Sequence, residues 1–396
     1  MSVNDKRLLQ TFLDLVKISS PSRREGRLAA ELKSRLEDLG LKVRVDQAGS
    51  TFGGEAGNVF GRWPADADRG QGSGGQGGSN GHQGPNARPA PGPILLCAHM
   101  DTVRPTEGLE PRVEGGIVRS DGRHILGADD KGGIAAILEG LTAIHQAKLP
   151  HPEVRVLFTV GEEVGLLGAK SAADEAGEAG FAFVLDSGSQ VGTIIVETPS
   201  TYALKIKVIG RAAHAGVEPE KGVNAIHVAA KAVAALPTGR IDPITTINFG
   251  IIEGGTATNI VPPEATVELE ARSRDRAALD GLIERVEATF RREANSAGAR
   301  VNIDKRLDFE GFKLDPEDAV VGVAGAAVRR VGLQPGLVPR GGGSDANVFN
   351  AHGLPAVNLG VGPSDEHTDQ ESLAVDQLVK AAELVVALIE VSAGGR

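Results

Sequence analysis

Short, nearly unbroken apolar runs alternate with helical segments up to about residue 198 and again beyond about residue 312, and this rhythm limits the fold more than any other feature of the chain. Leu28, Leu32, Leu36 and Leu39 recur at helical spacing and the run stops at Gly40. Apolar runs follow at 58–63 and 94–98. Next come a helical stretch over 131–147, a strand over 154–160, a helix over 166–176 and a strand over 181–185. Strands this apolar, separated by helices, belong to a mostly parallel, doubly wound α/β sheet whose strands are covered on both faces.

From about Pro199 the rhythm changes. Residues 202–209 alternate as a half-buried strand, 223–236 read as a helix, 245–252 and 266–271 as strands, 279–294 as a helix and 300–307 as a strand. The order β-α-β-β-α-β is that of a ferredoxin-like α+β unit. The α/β rhythm then resumes and ends in a helix over 373–391. The expected organisation is therefore 1–198, an inserted domain over 199–311, and a return to the first domain over 312–396. Residues 66–93 are dominated by Gly, Pro, Ser and polar side chains, cannot bury enough apolar surface to offset ordering, and are expected to be a disordered insert. His82 lies inside it and is set aside as a ligand.

The 396 residues carry a net charge of -10, which gives no electrostatic reason to bind nucleic acid or an anionic membrane. No run approaches the roughly 20 apolar residues that span a bilayer. The N-terminal sequence has no signal-peptide pattern, so the expected location is the cytoplasm. Cys97 is the single cysteine, so any metal site must be built from His, Asp and Glu.

Such residues concentrate just after the expected strands. His99-Met100-Asp101 follows the run at 94–98, and Gly127-Ala128-Asp129-Asp130-Lys131-Gly132-Gly133 leads into a helix. Glu162-Glu163 follows the strand at 154–160, and Asp186 the strand at 181–185. Ligands of open α/β sheets bind outside the carboxyl ends of the strands. His367, in Asp-Glu-His-Thr, is a fifth candidate from the returning chain. Singly, these segments read as helix caps or solvated loops; together they point to a metal centre. Imidazole and carboxylate suit zinc, and a pair of zinc ions requires a shared carboxylate. In His-x-Asp the carboxylate is placed to fix the imidazole. In Glu-Glu one residue can bind metal while its neighbour takes a proton from water.

The segments HMDT, GADDKGG, GEEVGLLG and LDSG, followed by GRAAHAG, GTATNIVP, EARSRD, GGGSDAN and EHTD, resemble the dinuclear zinc peptidase family of carboxypeptidase G, aminoacylase and peptidase T. Asp-Ser-Gly at 186–188 resembles the peptidase T (tripeptide aminopeptidase) branch. The resemblance implies a zinc-binding α/β domain interrupted by a ferredoxin-like lid that often forms dimers. It implies His99, Asp129 and Asp186 on one zinc and Asp129, Glu163 and His367 on the other, with Co²⁺ or Mn²⁺ as substitutes. It further implies that Asp101 orients His99 and that Glu162 is the general base.

In the lid, His214 resembles a family histidine that reaches across a dimer to the substrate carbonyl, and Asn259 and Arg272 resemble residues that hold the substrate carboxylate. The run Gly341-Gly342-Gly343-Ser344 before a helix is expected to offer N–H groups to an anion. The expected substrates are di- or tripeptides. The alternatives are removal of an acyl group from an N-acyl amino acid, or a non-catalytic metal-binding relative.

Overall fold

The structure is a computed structural model that describes residues 3–65 and 92–394. The expected insert lies outside the described residues except for 92 and 93. The chain divides into two compact units: Met1–Val196 with Leu314–Pro339 and Ser344–Arg396, and Glu197–Lys313 with Arg340–Gly343.

The first unit is built on an eight-stranded sheet. In spatial order its strands are Lys42–Val45, Val59–Trp63, Val154–Thr159, Ile94–His99, Phe181–Ser187, Ala356–Gly360, Thr193–Glu197 and Gly336–Pro339. The four central strands run parallel. The flanking pairs 42–45/59–63, 59–63/154–159 and 356–360/193–197 are antiparallel, so the sheet is mixed, with the doubly wound pattern at its centre. Every residue of Ile94–His99 is buried. Successive side chains of a strand point to opposite faces, so both faces here are covered. On one face Leu96 and Ala98 join the main hydrophobic core with Ile134 and Ile137 of the helix Ala128–Ala147; on the other, Cys97 meets Asp345 of the helix Asp345–Ala351. Alternation of sequence type thus becomes alternation of layers.

Helix Ala128–Ala147 packs between the sheet and the C-terminal helix Val375–Ser392. It passes the sheet closely because Gly133 lacks a side chain: a Cβ there would lie 2.1 Å from the Leu185 carbonyl oxygen and 2.4 Å from Asp130 Oδ1. That contact brings the start of the helix to the end of the Asp186 strand.

The second unit is a five-stranded antiparallel sheet in the order Gly239–Asp242, Thr245–Gly254, Glu264–Ser273, Ser200–Ile209, Arg300–Phe309. Apart from the added edge strand Gly239–Asp242, this is the ferredoxin-like arrangement. Along Glu264–Ser273, Val267, Leu269 and Ala271 join a second core with Ala229 of the helix Ala225–Ala234 and with Ile283 and Phe290 of the helix Arg276–Ala297. The latter helix starts at Asp275, whose side chain accepts from the Ala278 N–H at 3.0 Å, and stops at Gly298 with φ of 68°. No described helix is long and apolar enough to cross a membrane.

Candidate metal centre

The carboxyl ends of the central strands bring together His99, Asp129, Glu162, Glu163 and Asp186, and the loop before Ser372–Ala374 adds His367. His99 ends its strand with a side chain 2% exposed. Its Nε2 lies 3.1 Å from Asp129 Oδ1 and 3.7 Å from Asp186 Oδ1. The other oxygen of Asp129 lies 3.1 Å from His367 Nε2, and that same nitrogen is 2.9 Å from Glu163 Oε1. Asp129 therefore stands between two imidazoles with one oxygen facing each. His99, Asp129 and Glu163 offer donor atoms close enough together to hold one cation, and so do His99, Asp130 and Asp186.

Asp101 touches His99 less through its carboxylate than through its main chain. His99 Nδ1 is 2.9 Å from the Asp101 carbonyl oxygen and 3.5 Å from its Oδ1. The carboxylate instead accepts from the N–H groups of Glu162 at 2.9 Å and Glu163 at 3.2 Å, and from Ser22 Oγ at 2.6 Å. One aspartate thus ties the histidine end of one strand to the Glu-Glu loop of the next. Glu25, fully buried, supports the same loop: its Oε1 accepts from the Gly161 N–H at 3.2 Å.

Asp130 uses its oxygens on backbone donors, the N–H of His99 at 3.1 Å and of Gly133 at 3.3 Å. Asp129, by contrast, turns both its oxygens to histidines. Asp345 lies behind His99; its Oδ2 accepts from Thr159 Oγ1 at 2.6 Å, and burial lifts its carboxyl to about 6. None of these supporting roles is visible in residue type alone. A Glu or Asp that accepts backbone N–H bonds looks the same in sequence as a solvated one.

The electrostatics fit a cation. Burial, with Asp186 next, pushes the Glu162 carboxyl well above its ordinary value, and burial does the same to Asp186 and Asp130. Burial works to raise Asp129 as well, but hydrogen bonds from His367 and then His99 outweigh it and hold Asp129 well below the usual range. The Asp129 and then Glu163 carboxylates lift His367 to about 10. Burial opposes charge on His99, yet hydrogen bonds to Asp101 and Asp129 raise it too. Carboxylates outnumber imidazoles here and favour the charged form of each imidazole. Glu163 Oε1 is buried, and its neighbour is His367 Nε2 at 2.9 Å. Buried carboxylates and imidazoles with surplus negative charge, their donor atoms close enough to share an ion, are what a divalent cation would satisfy, so the residues fit a metal.

Within the second unit, His214 and Asn259 come together. Ala215 N–H donates to the Asn259 carbonyl at 3.0 Å, and His214 pairs with Ile260 as an isolated bridge. Arg272 and the Gly343-Ser344 segment have partners of their own within the chain. Arg272 donates from Nε and Nη2 to Glu270 at 2.6 and 2.9 Å, and its Nη1 reaches the Gly341 carbonyl at 3.4 Å. Gly343 and Ser344 are closely packed. A Cβ at Gly343 would lie 2.4 Å from the Phe309 ring, and buried Ser344 gives its N–H to Asn347 Oδ1 at 3.1 Å. Packing explains the glycine, and a side-chain acceptor already uses the amide.

The profile of peptidase family M20/M25/M40 matches residues 95–391. Uncharacterized protein YqjE of Bacillus subtilis is 40% identical over 395 residues, covering 99% of this chain and 100% of the relative. The crystal structure of aminopeptidase PepT from Bacillus cereus aligns with a TM-score of 0.84 at 38% identity, covering 99% of both chains. That of a tripeptidase from Staphylococcus aureus aligns with a TM-score of 0.89 at 35% identity, covering 100% of both. With its strand-end carboxylates and histidines, the chain belongs to peptidase family M20/M25/M40, in the peptidase T branch, and is a metal-dependent peptide hydrolase.

Proposed function

We propose that the chain releases the N-terminal residue of short peptides, tripeptides above all, with two zinc ions held around Asp129. His99 and Asp186 complete one position, Glu163 and His367 the other. The observation that carries this reading is the division of Asp129, 3.1 Å from His99 Nε2 through one oxygen and 3.1 Å from His367 Nε2 through the other. Carboxylate and imidazole donors suit zinc, and Co²⁺ or Mn²⁺ accept the same set. Bound there, such ions polarise the scissile carbonyl and make water more acidic.

The chain's own residues do the rest. Glu162 takes the proton of the attacking water and returns it to the leaving amine. Asp101 holds the Glu162 and Glu163 amides, so the base and its neighbouring ligand keep a fixed relation. His214 stabilises the oxyanion. Asn259 and Arg272 take the peptide carboxylate, which must compete with Glu270 for the guanidinium. Residues 199–311 act as lid and dimerisation domain of a homodimer, and the cytoplasm is the compartment. The single, buried Cys97 suits a reducing environment. The names of the solved relatives, an aminopeptidase and a tripeptidase, support the peptide substrate over an N-acyl amino acid.

Neighbouring substitutions test the assignment. Glu162→Gln should lower turnover on a tripeptide by about 10²–10⁴-fold with both metals retained. Glu163→Gln should weaken the binding of one ion as well. A Glu162→Gln enzyme that loses a metal while Glu163→Gln keeps both would reverse the pair; full turnover in Glu162→Gln would remove the proposed base.

A further inference from the structure

The loop that carries His367 runs directly into the strand Ser372–Ala374, and the residue at their junction, Glu371, is 1% exposed. A buried carboxylate is costly unless donors meet its oxygens. Glu371 meets two: Oε2 accepts from the Gly127 N–H at 2.7 Å and Oε1 from the Asp129 N–H at 3.0 Å. Its own main chain is fixed as well, because its carbonyl accepts from the Ser120 N–H at 3.3 Å. The amides it binds sit at a helix start, where no ladder partner exists. The backbone there is not helical, with φ of 71° at Gly127 and ψ of 104° at Asp129. Asp129 is thus gripped from both ends by one short segment: His367 meets its carboxylate and Glu371 its amide.

We propose that Glu371 is the positioning residue for the shared carboxylate of the metal centre, its hold on the Gly127 and Asp129 amides setting Asp129 so that one oxygen faces each histidine. This rests on the Asp129-bridged reading above. The competing role is charge compensation. Lys131 is wholly buried, donates from Nζ to the Ile18 carbonyl at 2.8 Å, and has Glu371 as the anion acting most strongly on it. The two roles differ in what they need. A charge partner needs only a negative charge, whereas a clamp needs the reach to two amides at once.

Three forms of the full chain separate them: Glu371→Asp, which keeps the charge and shortens the reach; Glu371→Gln, which keeps the length and loses the charge; and Glu371→Gln with Lys131→Met, which removes the unpaired ammonium if Glu371→Gln alone does not fold. Hydrogen exchange across 125–133 in chelated protein reads the clamp without any metal. A Co²⁺ titration followed by visible absorption reads its consequence. Glu371→Asp should exchange both the Gly127 and Asp129 amides at least about tenfold faster, the Gln forms, which keep one acceptor oxygen, at least one of them, and every variant should bind one Co²⁺ equivalent about 10–100-fold more weakly. Glu371→Asp with wild-type exchange and wild-type Co²⁺ binding would overturn the clamp in favour of charge compensation. Unchanged exchange in a folded Glu371→Gln form would overturn it outright. A wild-type chain that binds only one Co²⁺ would instead overturn the two-ion reading, while the exchange experiment would still decide the clamp.

Discussion

His99 and His367 meet the same carboxylate from opposite kinds of ground. His99 ends a strand buried along its whole length, its amide held by Asp130 and its ring by the Asp101 carbonyl. His367 sits in a loop with its side chain 49% exposed and its backbone at φ of 65°, beside Asp365 at 56°. Non-glycine residues in that region cost of order 1–3 kcal/mol and persist only where the surroundings over-determine them. Here the surroundings are the centre itself, Asp129 and Glu163, together with one hydrogen bond from Arg104. The inner end of the centre belongs to the fold, and the outer end depends on the contacts it makes with the centre.

The largest expected effect of this asymmetry is at His99. His99→Ala removes the imidazole buried among Asp129, Asp186 and Asp101 and leaves those carboxylates without it, and breaking such buried sets costs about 3–5 kcal/mol. Chelated His99→Ala protein should melt well below wild type in calorimetry, and elemental analysis should find neither ion retained. His367→Ala should lose one ion yet, when chelated, stay within about 1 kcal/mol of wild type, as expected for a partly exposed pair. Equal destabilisation by the two substitutions would erase the distinction between the two ends.

Protons give a middle-sized effect. His367 is raised from 6.5 to about 10, so the stability it adds to chelated protein is complete below pH 6.5 and is lost as pH rises through about 10. Lys131 acts in the opposite sense: burial lowers it from 10.5 to about 7, so its cost is relieved over much the same range. The measurement is therefore a difference. The gap in melting temperature between chelated wild type and His367→Ala should be widest at pH 6 and close towards pH 10. Metal competes with those same protons, so affinity at this position should rise over the window. A gap that widens with pH would mean that His367 is not held protonated by its neighbours.

Much of the inner end was legible in sequence and little of the outer. Unbroken apolar runs located the strands, and His99, Glu162 and Asp186 lie at or just beyond their carboxyl ends. The same reading started the long helix at Lys131, although it begins at Ala128, because Asp129 and Asp130 take non-helical angles that the pattern of apolar residues does not encode. It also extended the final helix back to Leu373, whereas Ser372–Ala374 pairs with Ile117–Arg119 in a small four-stranded sheet. Strands of two or three residues carry no periodicity to read. The supporting carboxylates Glu25, Asp130, Asp345 and Glu371 escaped for a related reason. Their work is to accept backbone N–H and hydroxyl bonds across long sequence separations, and neither spacing nor residue type marks that. The second unit was legible because half-buried strands alternate, but Glu270 beside Arg272 was read only as part of a strand.

The smallest effect sharpens the comparison most, because it touches the outer end alone. Arg104 Nη2 donates to the His367 carbonyl at 2.8 Å from an exposed position. It is the one hydrogen bond given to the His367 main chain from outside its own loop among the described residues. A hydrogen bond of this kind is worth about 0.5–1.5 kcal/mol net, or roughly a 2- to 10-fold change in an equilibrium. Arg104→Ala should therefore weaken one ion by that factor in a calorimetric titration and leave the other untouched. Turnover at saturating metal should not change, since Arg104 is proposed to touch neither substrate nor water. The chelated protein should melt as wild type, because the bond lies outside both hydrophobic cores. If Arg104→Ala weakened both ions equally, the two ends would be coupled through the whole loop, and His367 would belong to the fold as firmly as His99 does.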